Sequence, residues 1–291
     1  MAVPSRRAGG SPLHLRSVEP PDPDPGRPVL LLLPGAGADH RSWGAELADW
    51  GRSWRVLAPD PPGTGRSAGP LPADWEELLA AYAPLAEAAG PGRLVLVGLS
   101  LGSRAALSLA ARLPRRPAAL VLVHPWLDED GDLRERRRAV AEMVRWAPET
   151  VYSRTLAWFL GSAELAEDPD RLERLAAAWR PPAGPPREAL LAYLELAPEV
   201  VRPEAIPAVP ALVVAGEQDR MIPARYSRQL ADRLPGARWL LFRGPGSGHL
   251  LHLERAGEFR RAVRTFLEEV LEAPAPAGAG ARGRRPDGAN R

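Results

Sequence analysis

A serine flanked by glycines is the feature of this sequence that most directly indicates chemistry. The segment reads Gly98-Leu-Ser100-Leu-Gly102, directly after the apolar run RLVLV and at the start of the helical pattern SRAALSLAARL. A turn from strand to helix this tight leaves room for little more than hydrogen two positions before and after the serine. The hydroxyl then lies exposed at the carboxyl edge of a sheet, before the free N–H groups of a helix N-terminus. This context favours a nucleophile over a serine that only caps the helix.

A nucleophilic serine needs a base to take its proton and an acid to orient that base. In the order serine, acid, histidine, the candidate acid is Asp219, within VVAGEQDRMIP just after an apolar run. The candidate base is His249, in a glycine-rich segment that reads GPGSGHLLHLERAGEF. Glu217 is the rival acid. His252 is the rival base, and we expect it to pack at the start of a helix.

The sequence indicates neither a metal site nor a cofactor. Three further histidines, His14, His40 and His124, fall at the ends of elements, and none has a second ligand-like residue at metal spacing. The chain has no cysteine, which excludes disulfides, thiolate nucleophiles and metals held by cysteine. We therefore predict chemistry carried by the side chains alone.

The segment from Asp60 to Ser67, DPPGTGRS, raises the question of a nucleotide site. A phosphate loop has a glycine where this chain has Asp60, and a lysine where it has Arg66. Arginine does not replace lysine conservatively at a phosphate site. The sequence AGPLP follows and cannot begin the helix that would meet the phosphates. The segment is therefore not predicted to bind a nucleotide.

Apolar runs that alternate with helical patterns predict the elements that position these residues. Each run is short, continuously apolar and rich in valine and leucine, which is typical of strands covered on both faces. The runs span residues 29–33, 54–58, 93–98, 118–123, 211–216 and 237–242. Helical patterns lie between them at 74–89, 102–113, 224–234 and 255–272. This alternation predicts an α/β fold with a mostly parallel central sheet and helices on both faces.

One interval interrupts the alternation. From about Pro125 to Glu204 no strand-like run occurs, and helices are predicted at 133–146, 149–160, 168–180 and 187–197. We interpret 125–204 as a helical lid on a core formed by 13–124 and 205–272. The lid has five large apolar side chains, one or two of which we expect to face a substrate pocket: Trp126, Trp146, Trp158, Phe159 and Trp179.

Charge and composition exclude several classes of protein. The chain of 291 residues has 38 basic and 36 acidic residues, and every basic residue is arginine. Because the two signs are interspersed through the body, the basic balance does not indicate a nucleic-acid partner. Segments 1–12 and 273–291 are rich in Pro, Gly, Ala and Arg, so we predict disordered ends. No apolar run reaches the roughly 18 residues of a membrane span, and we expect a soluble, cytoplasmic protein.

Taken together, the motifs resemble those of the α/β-hydrolase superfamily over roughly residues 13–271. The resemblance rests on LLPGAGADHRSW, PDPPGTGRS, GLSLGS, GEQDRMIP and GHLLHLE, in that order. Two departures are visible. Pro34-Gly35 stands where the family usually has His-Gly, which affects the bracing of that loop, and Ala256 replaces a common proline at a helix start.

The resemblance implies a role for each candidate. Ser100 is the nucleophile, Asp219 the acid and His249 the base, and the main-chain N–H groups of Ala36 and Leu101 form an oxyanion hole. The implied reaction is acyl transfer to water on an apolar small-molecule ester, thioester or lactone. The family also includes lyases, carbon–carbon bond hydrolases, cofactor-free haloperoxidases and non-catalytic ligand-binding proteins, and these stay open as alternatives. The sequence does not predict the oligomeric state.

Overall fold

A seven-stranded sheet forms the centre of the computed structural model, which describes residues 13–272 apart from 23, 25, 68, 90–93 and 182. The predicted disordered ends lie outside the described residues. The strands follow the order β1-β3-β2-β4-β5-β6-β7 across the sheet. Their bounds are β1 (Leu15–Val18), β2 (Val29–Leu33), β3 (Arg55–Pro59), β4 (Leu94–Leu99), β5 (Ala119–Val123), β6 (Ala211–Gly216) and β7 (Arg238–Phe242).

All neighbouring strands run parallel except β1, which pairs antiparallel with β3 at one edge. The prediction of a mostly parallel sheet is therefore confirmed. The six apolar runs each form a strand, with ends shifted by no more than one residue. Strand β1 was not predicted, because its sequence LRSV interrupts the apolar pattern with Arg16 and Ser17.

Helices cover both faces of the sheet. Their bounds are α1 (Gly44–Trp50), α2 (Trp75–Glu87), α3 (Leu101–Arg112), α4 (Gly131–Trp146), α5 (Glu149–Leu160), α6 (Pro169–Ala177), α7 (Arg187–Glu195), α8 (Ala224–Arg233), α9 (Leu251–Glu254) and α10 (Ala256–Glu272). Side chains of β2 alternate between two cores. Leu31 and Leu33 belong to the core that contains α2 and α3, whereas Leu30 and Leu32 pack with α1 and α10. Burial on both faces explains why β2 is continuously apolar.

Helices α4 to α7 stand between β5 and β6, and within the described part of 124–210 no strand occurs. The helical character predicted for 125–204 is thus observed, with helix ends that differ from the predicted ones by no more than three residues. The separation of these helices from the core as a lid stays a prediction.

A buried arginine ties both ends of this helical insertion to α3. Arg104 is 1% exposed, and its Nη1 donates to the carbonyl oxygen of Trp126 over 2.8 Å. Its Nη2 donates to the carbonyl oxygen of Glu199. Burial lowers the pKa of Arg104 to about 10, so the side chain keeps its charge at neutral pH. The chain segments entering and leaving the insertion are therefore anchored on the helix that follows Ser100.

Glu46 of α1 is an acid without a good partner in the interior. It is fully buried, neither carboxylate oxygen has a hydrogen-bond partner among the described residues, and Arg260 approaches only to 3.9 Å. Burial raises the pKa of Glu46 from 4.5 to about 7. The pKa is therefore higher in the folded than in the unfolded chain. Linkage then predicts that stability falls as pH rises from about 4.5 to about 7 and stays lower above that range.

We predict that Glu46→Gln stabilises the protein at pH 8, because a neutral side chain avoids ionisation in the interior. The free energy of unfolding should rise by up to about 3 kcal/mol at pH 8, and the gain should vanish near pH 4.5. Thermal unfolding of both proteins across this pH range measures the difference. Glu87→Gln, at the exposed end of α2, is the matched control and should show no such dependence. An equal effect of Glu46→Gln at pH 5 and pH 8 would contradict the assignment.

Candidate active site

Ser100 lies on a sharp turn between β4 and α3. Its main chain has φ 53° and ψ −117°, a conformation that costs free energy for a residue other than glycine. Its N–H donates to the carbonyl oxygen of Val123 over 2.8 Å. A Cβ atom on Gly98 would lie 2.4 Å from the carbonyl oxygen of Gly102, and one on Gly102 would lie 2.1 Å from that of Leu33. Only glycine fits at these two positions, as the sequence motif predicts.

Asp219 follows β6 and is 5% exposed. Its Oδ1 accepts hydrogen bonds from the N–H groups of Met221 and Ile222, both over 2.8 Å. Its Oδ2 lies 2.7 Å from Nδ1 of His249. Burial alone would raise the pKa of this carboxyl, but His249 and His124 beside it lower the pKa below its ordinary value. Asp219 is therefore a carboxylate that can orient and stabilise a charged imidazole.

The loop that carries His249 depends on two further close contacts. A Cβ on Gly216 would lie 2.1 Å from the carbonyl oxygen of Ser247, and one on Gly248 would lie 2.5 Å from the main chain of Gly161. The first contact seats the loop against the end of β6. The second seats it against the insertion, just after α5. Together they bring His249 to the sheet edge where Asp219 lies.

The two rival residues have other environments. The carboxylate of Glu217 is exposed and accepts hydrogen bonds from Arg243 and from the N–H of Gly244, each over 3.0 Å. His252 is 1% exposed and its ring packs 5.8 Å from that of Trp43. Burial lowers the pKa of His252 to about 3, so the ring is neutral. Its packing agrees with the expectation from the sequence.

A second Gly-x-Ser-x-Gly pattern, residues 65–69, has no free hydroxyl. Ser67 is buried, and its Oγ donates to the carbonyl oxygen of Asp60 over 2.6 Å and accepts from the N–H of His14 over 2.8 Å. The Asp60 carboxylate accepts from the N–H groups of His40 and Arg66. These bonds close the loop on itself, so Ser67 braces a structural turn.

Ala36 and Leu101, the expected oxyanion-binding residues, both flank Ser100. A small cavity is lined by all three residues. Within the described chain, neither main-chain N–H of Ala36 and Leu101 has a hydrogen-bond acceptor. The Pro34-Gly35 turn packs against this site. A Cβ on Gly102 would lie only 2.5 Å from the carbonyl oxygen of Pro34. That these two donors form an oxyanion hole stays a prediction.

A cavity of about 410 Å³ opens in front of Ser100 and His249. Its wall is mostly apolar, and much of it comes from the insertion: Val140, Leu156, Leu160, Leu175, Trp179, Leu190 and Leu194. Of the large side chains singled out in the sequence, Trp179 lines this cavity and Trp126 lines the small one beside Leu101. Trp146 and Trp158 are instead 76% and 43% exposed.

One charged pair lies on the cavity wall. The guanidinium of Arg41 donates to both carboxylate oxygens of Asp39 through its Nε, each over 2.9 Å. Asp39 also accepts from the main-chain N–H of Arg41, at the start of the turn His40–Trp43. Because the two charges compensate, this part of the wall is polar but carries no net charge.

Two groups of histidine and aspartate side chains meet in space. The sequence predicted that Asp219 and His249 meet, but it indicated neither the approach of His124 to them nor the group around Asp60. The first group is formed by His14, His40 and Asp60, and the second by His124, His249 and Asp219. Within each group the possible ligand atoms lie within 4.8 Å of one another. In each group, imidazole nitrogens lie within 3.1 Å of the carboxylate oxygens. Such short contacts are those of direct histidine–carboxylate pairs. That the protein works without a metal stays a prediction.

No helix of the described residues is both long enough and apolar enough to cross a membrane.

Comparison with known proteins identifies the family. The family model described as alpha/beta hydrolase fold matches residues 28–256. The chain belongs to the α/β-hydrolase family. RutD of Klebsiella pneumoniae subsp. pneumoniae, provisionally named a carbamate hydrolase, is 31% identical over 262 residues, or 86% of this chain and 95% of its own. The prediction of an α/β-fold hydrolase is confirmed.

Solved structures of this family are similar over most of the chain. A thermophilic esterase from Thermogutta terrifontis is 26% identical with a TM-score of 0.71, covering 89% of this chain and 93% of its own. The enol-lactonase from Burkholderia xenovorans LB400 has a TM-score of 0.76 at 23% identity, covering 91% of this chain and 99% of its own. At that identity the second structure supports the fold alone.

We predict that Gly102→Ala abolishes the arrangement around Ser100, because its Cβ would collide with the main chain of Leu33 and Pro34. Hydrolysis of a p-nitrophenyl ester should fall at least about 100-fold, the scale of a lost oxyanion contact, and thermal stability should decrease. Gly131→Ala at the start of α4 is the control, since its Cβ would meet nothing within 4 Å. A Gly102→Ala protein with unchanged stability and activity would show that this contact is not required.

Proposed function

We propose that the protein is a serine hydrolase that cleaves an apolar small-molecule ester, thioester or lactone through an acyl-enzyme. The observation that carries the proposal is the pair of the buried Asp219 carboxylate and His249, 2.7 Å apart, beside the cavity that Ser100 also lines. A buried carboxylate held at Nδ1 orients the imidazole and stabilises its charged form. Nothing else in the described residues lining that cavity offers the same combination of a strained serine and an oriented base.

The proposed reaction proceeds in two acyl transfers. Ser100 Oγ attacks the carbonyl carbon of the substrate while His249 takes the hydroxyl proton, and Asp219 holds the imidazole. The N–H groups of Ala36 and Leu101 bind the oxyanion that develops on the carbonyl oxygen. The protonated His249 then gives its proton to the leaving oxygen or sulfur. Water attacks the acyl-enzyme with His249 again as base, and the acid is released.

The cavity supports an apolar substrate. Its wall is built mostly of aliphatic side chains, and its volume of about 410 Å³ falls within the range of small-molecule sites. We propose that α4 to α7 act as a lid, because all four helices contribute side chains to this wall. The neutral pair of Arg41 and Asp39 provides one polar point of contact for a substrate oxygen.

Carbamate hydrolysis is a second candidate, favoured by the likeness to RutD. A carbamate carbonyl would react at Ser100 by the same steps. However, the carbamate ion itself is small and charged, and it would leave most of an apolar cavity of this size unfilled. The cavity therefore favours a substrate with a larger apolar part, whether ester or carbamate ester.

We predict that a fluorophosphonate probe labels Ser100 and that Ser100→Ala abolishes both labelling and hydrolysis of p-nitrophenyl esters. The loss in turnover should be on the order of 10⁶. Labelling is read by mass spectrometry of the modified peptide. Ser17→Ala changes a serine of the edge strand β1 and should leave both activities intact.

The outcomes separate the candidate functions. Hydrolysis of carbamate but not of esters by the same serine would favour the second candidate. A folded protein that is not labelled would overturn the covalent mechanism and favour a ligand-binding protein or a lyase. A Ser100→Ala protein with wild-type turnover would show that Ser100 is not the nucleophile.

We predict that Leu175→Trp shortens the range of acyl chains that the protein accepts. The larger side chain fills part of the cavity that Leu175 lines. The kcat/KM for p-nitrophenyl octanoate should fall at least about tenfold. Each methylene of the acyl chain that no longer fits in the cavity forgoes about 0.8 kcal/mol of favourable transfer free energy. The kcat/KM for p-nitrophenyl acetate should change little, because its short acyl chain does not reach this part of the cavity. Val200→Trp, at a position that is 70% exposed, controls for the added indole.

A further inference from the structure

A second buried imidazole lies against the proposed acid and base. His124 follows β5 directly and is 0% exposed. Its main chain has φ 50°, in the left-handed region that few residues other than glycine adopt, although asparagine, aspartate and histidine do so more often than the rest. Its N–H donates to the carbonyl oxygen of Val214 over 2.8 Å, which holds the residue at the end of the sheet.

The ring of His124 contacts both partners at once. Its Nδ1 lies 2.8 Å from Oδ2 of Asp219, the oxygen that also lies 2.7 Å from Nδ1 of His249. This first contact is close but does not have the geometry of a hydrogen bond, so an Nδ1 proton acts on the carboxylate as a nearby dipole. The two imidazole rings are stacked, with centroids 4.7 Å apart and planes 30° apart.

The charge state of His124 follows from these neighbours. The titratable groups that act on it are Asp219 after β6, His249 before α9 and His252 in α9. Burial and the adjacent His249 lower the pKa of His124, although Asp219 opposes this. His124 is therefore a neutral ring. The anionic carboxylate favours the tautomer that carries its proton on Nδ1, since a lone pair there would be repelled.

We propose that His124 is a positioning residue that tunes the base: its Nδ1–H shares the Asp219 carboxylate with His249 and its ring fixes the plane of the His249 imidazole. This inference rests on the proposed Ser100, Asp219 and His249 mechanism. A donor beside Oδ2 withdraws part of the negative charge that His249 would otherwise experience. Without that donor, the carboxylate would stabilise the protonated imidazole more strongly, and the neutral base would be less available.

The test compares two substitutions by the pH dependence of kcat/KM for a p-nitrophenyl ester. His124→Phe keeps a ring for stacking but removes the proton near Asp219. His124→Asn keeps a short amide donor and suits the positive φ. For His124→Phe we expect the acidic limb of the profile to move up by about one pH unit, so that activity on that limb falls about tenfold. The plateau at high pH should stay within about threefold. For His124→Asn we expect an acidic limb close to that of the wild type.

A merely structural role would give a different result. It would lower kcat/KM equally at all pH values, or lower the melting temperature, without moving the acidic limb. An unmoved limb in a folded His124→Phe protein would overturn the proposal. If His124→Phe does not fold, His124→Met replaces it, because its flexible apolar chain fills the space without a proton donor, and the same shift is expected.

Failure of this inference is distinguishable from failure of the proposed function. Fluorophosphonate labelling of Ser100 in the wild-type protein depends on the nucleophile and base but not on the position of the acidic limb. Labelled wild-type protein with an unmoved limb in the variants would overturn only the role of His124. Wild-type protein that is not labelled would overturn the mechanism on which the inference rests, and the inference with it.

Discussion

The close contact between the start of α3 and the end of β2 is the constraint on which the site depends. Gly102 approaches the carbonyl oxygens of Leu33 and Pro34 so closely that no side chain fits between them. This contact forces the sharp turn at Ser100 and places the loop after β2 beside it. The serine hydroxyl and the N–H groups of Ala36 and Leu101, which have no acceptor among the described residues, therefore come from one packing arrangement of main chain against main chain.

A buried carboxylate imposes the second constraint. Asp219 would be costly to ionise in the interior without compensation. Two main-chain N–H groups satisfy one of its oxygens, and His249 and His124 lie against the other. The glycines of the loops around β6 allow these partners to approach. Glu46 shows the opposite case, since its carboxylate has no hydrogen-bond partner among the described residues and burial raises its pKa.

The elements of the fold could largely be predicted because their signals are local. Strands buried on both faces are continuously apolar, and the helices of the insertion keep a helical pattern without help from distant residues. Where the pattern was weak, prediction failed. Strand β1 is an edge strand with polar residues, and α1 lies in a segment where the sequence analysis identified no helix, although Trp43, Leu47 and Trp50 bury one face of that region.

By itself, the sequence determined the order of the strands along the chain and the glycines that the turns require. It also determined which polar residues follow the strands at the carboxyl edge of the sheet. Ser100, Asp219 and His249 could be chosen from it because each follows a strand signal. Only the tertiary structure decided what lies beside them. The order of strands across the sheet places β5 next to β6, which brings His124 against Asp219, 95 positions further along the chain. The same holds for the cavity wall, since local periodicity shows which face of a helix is apolar but not what that face covers.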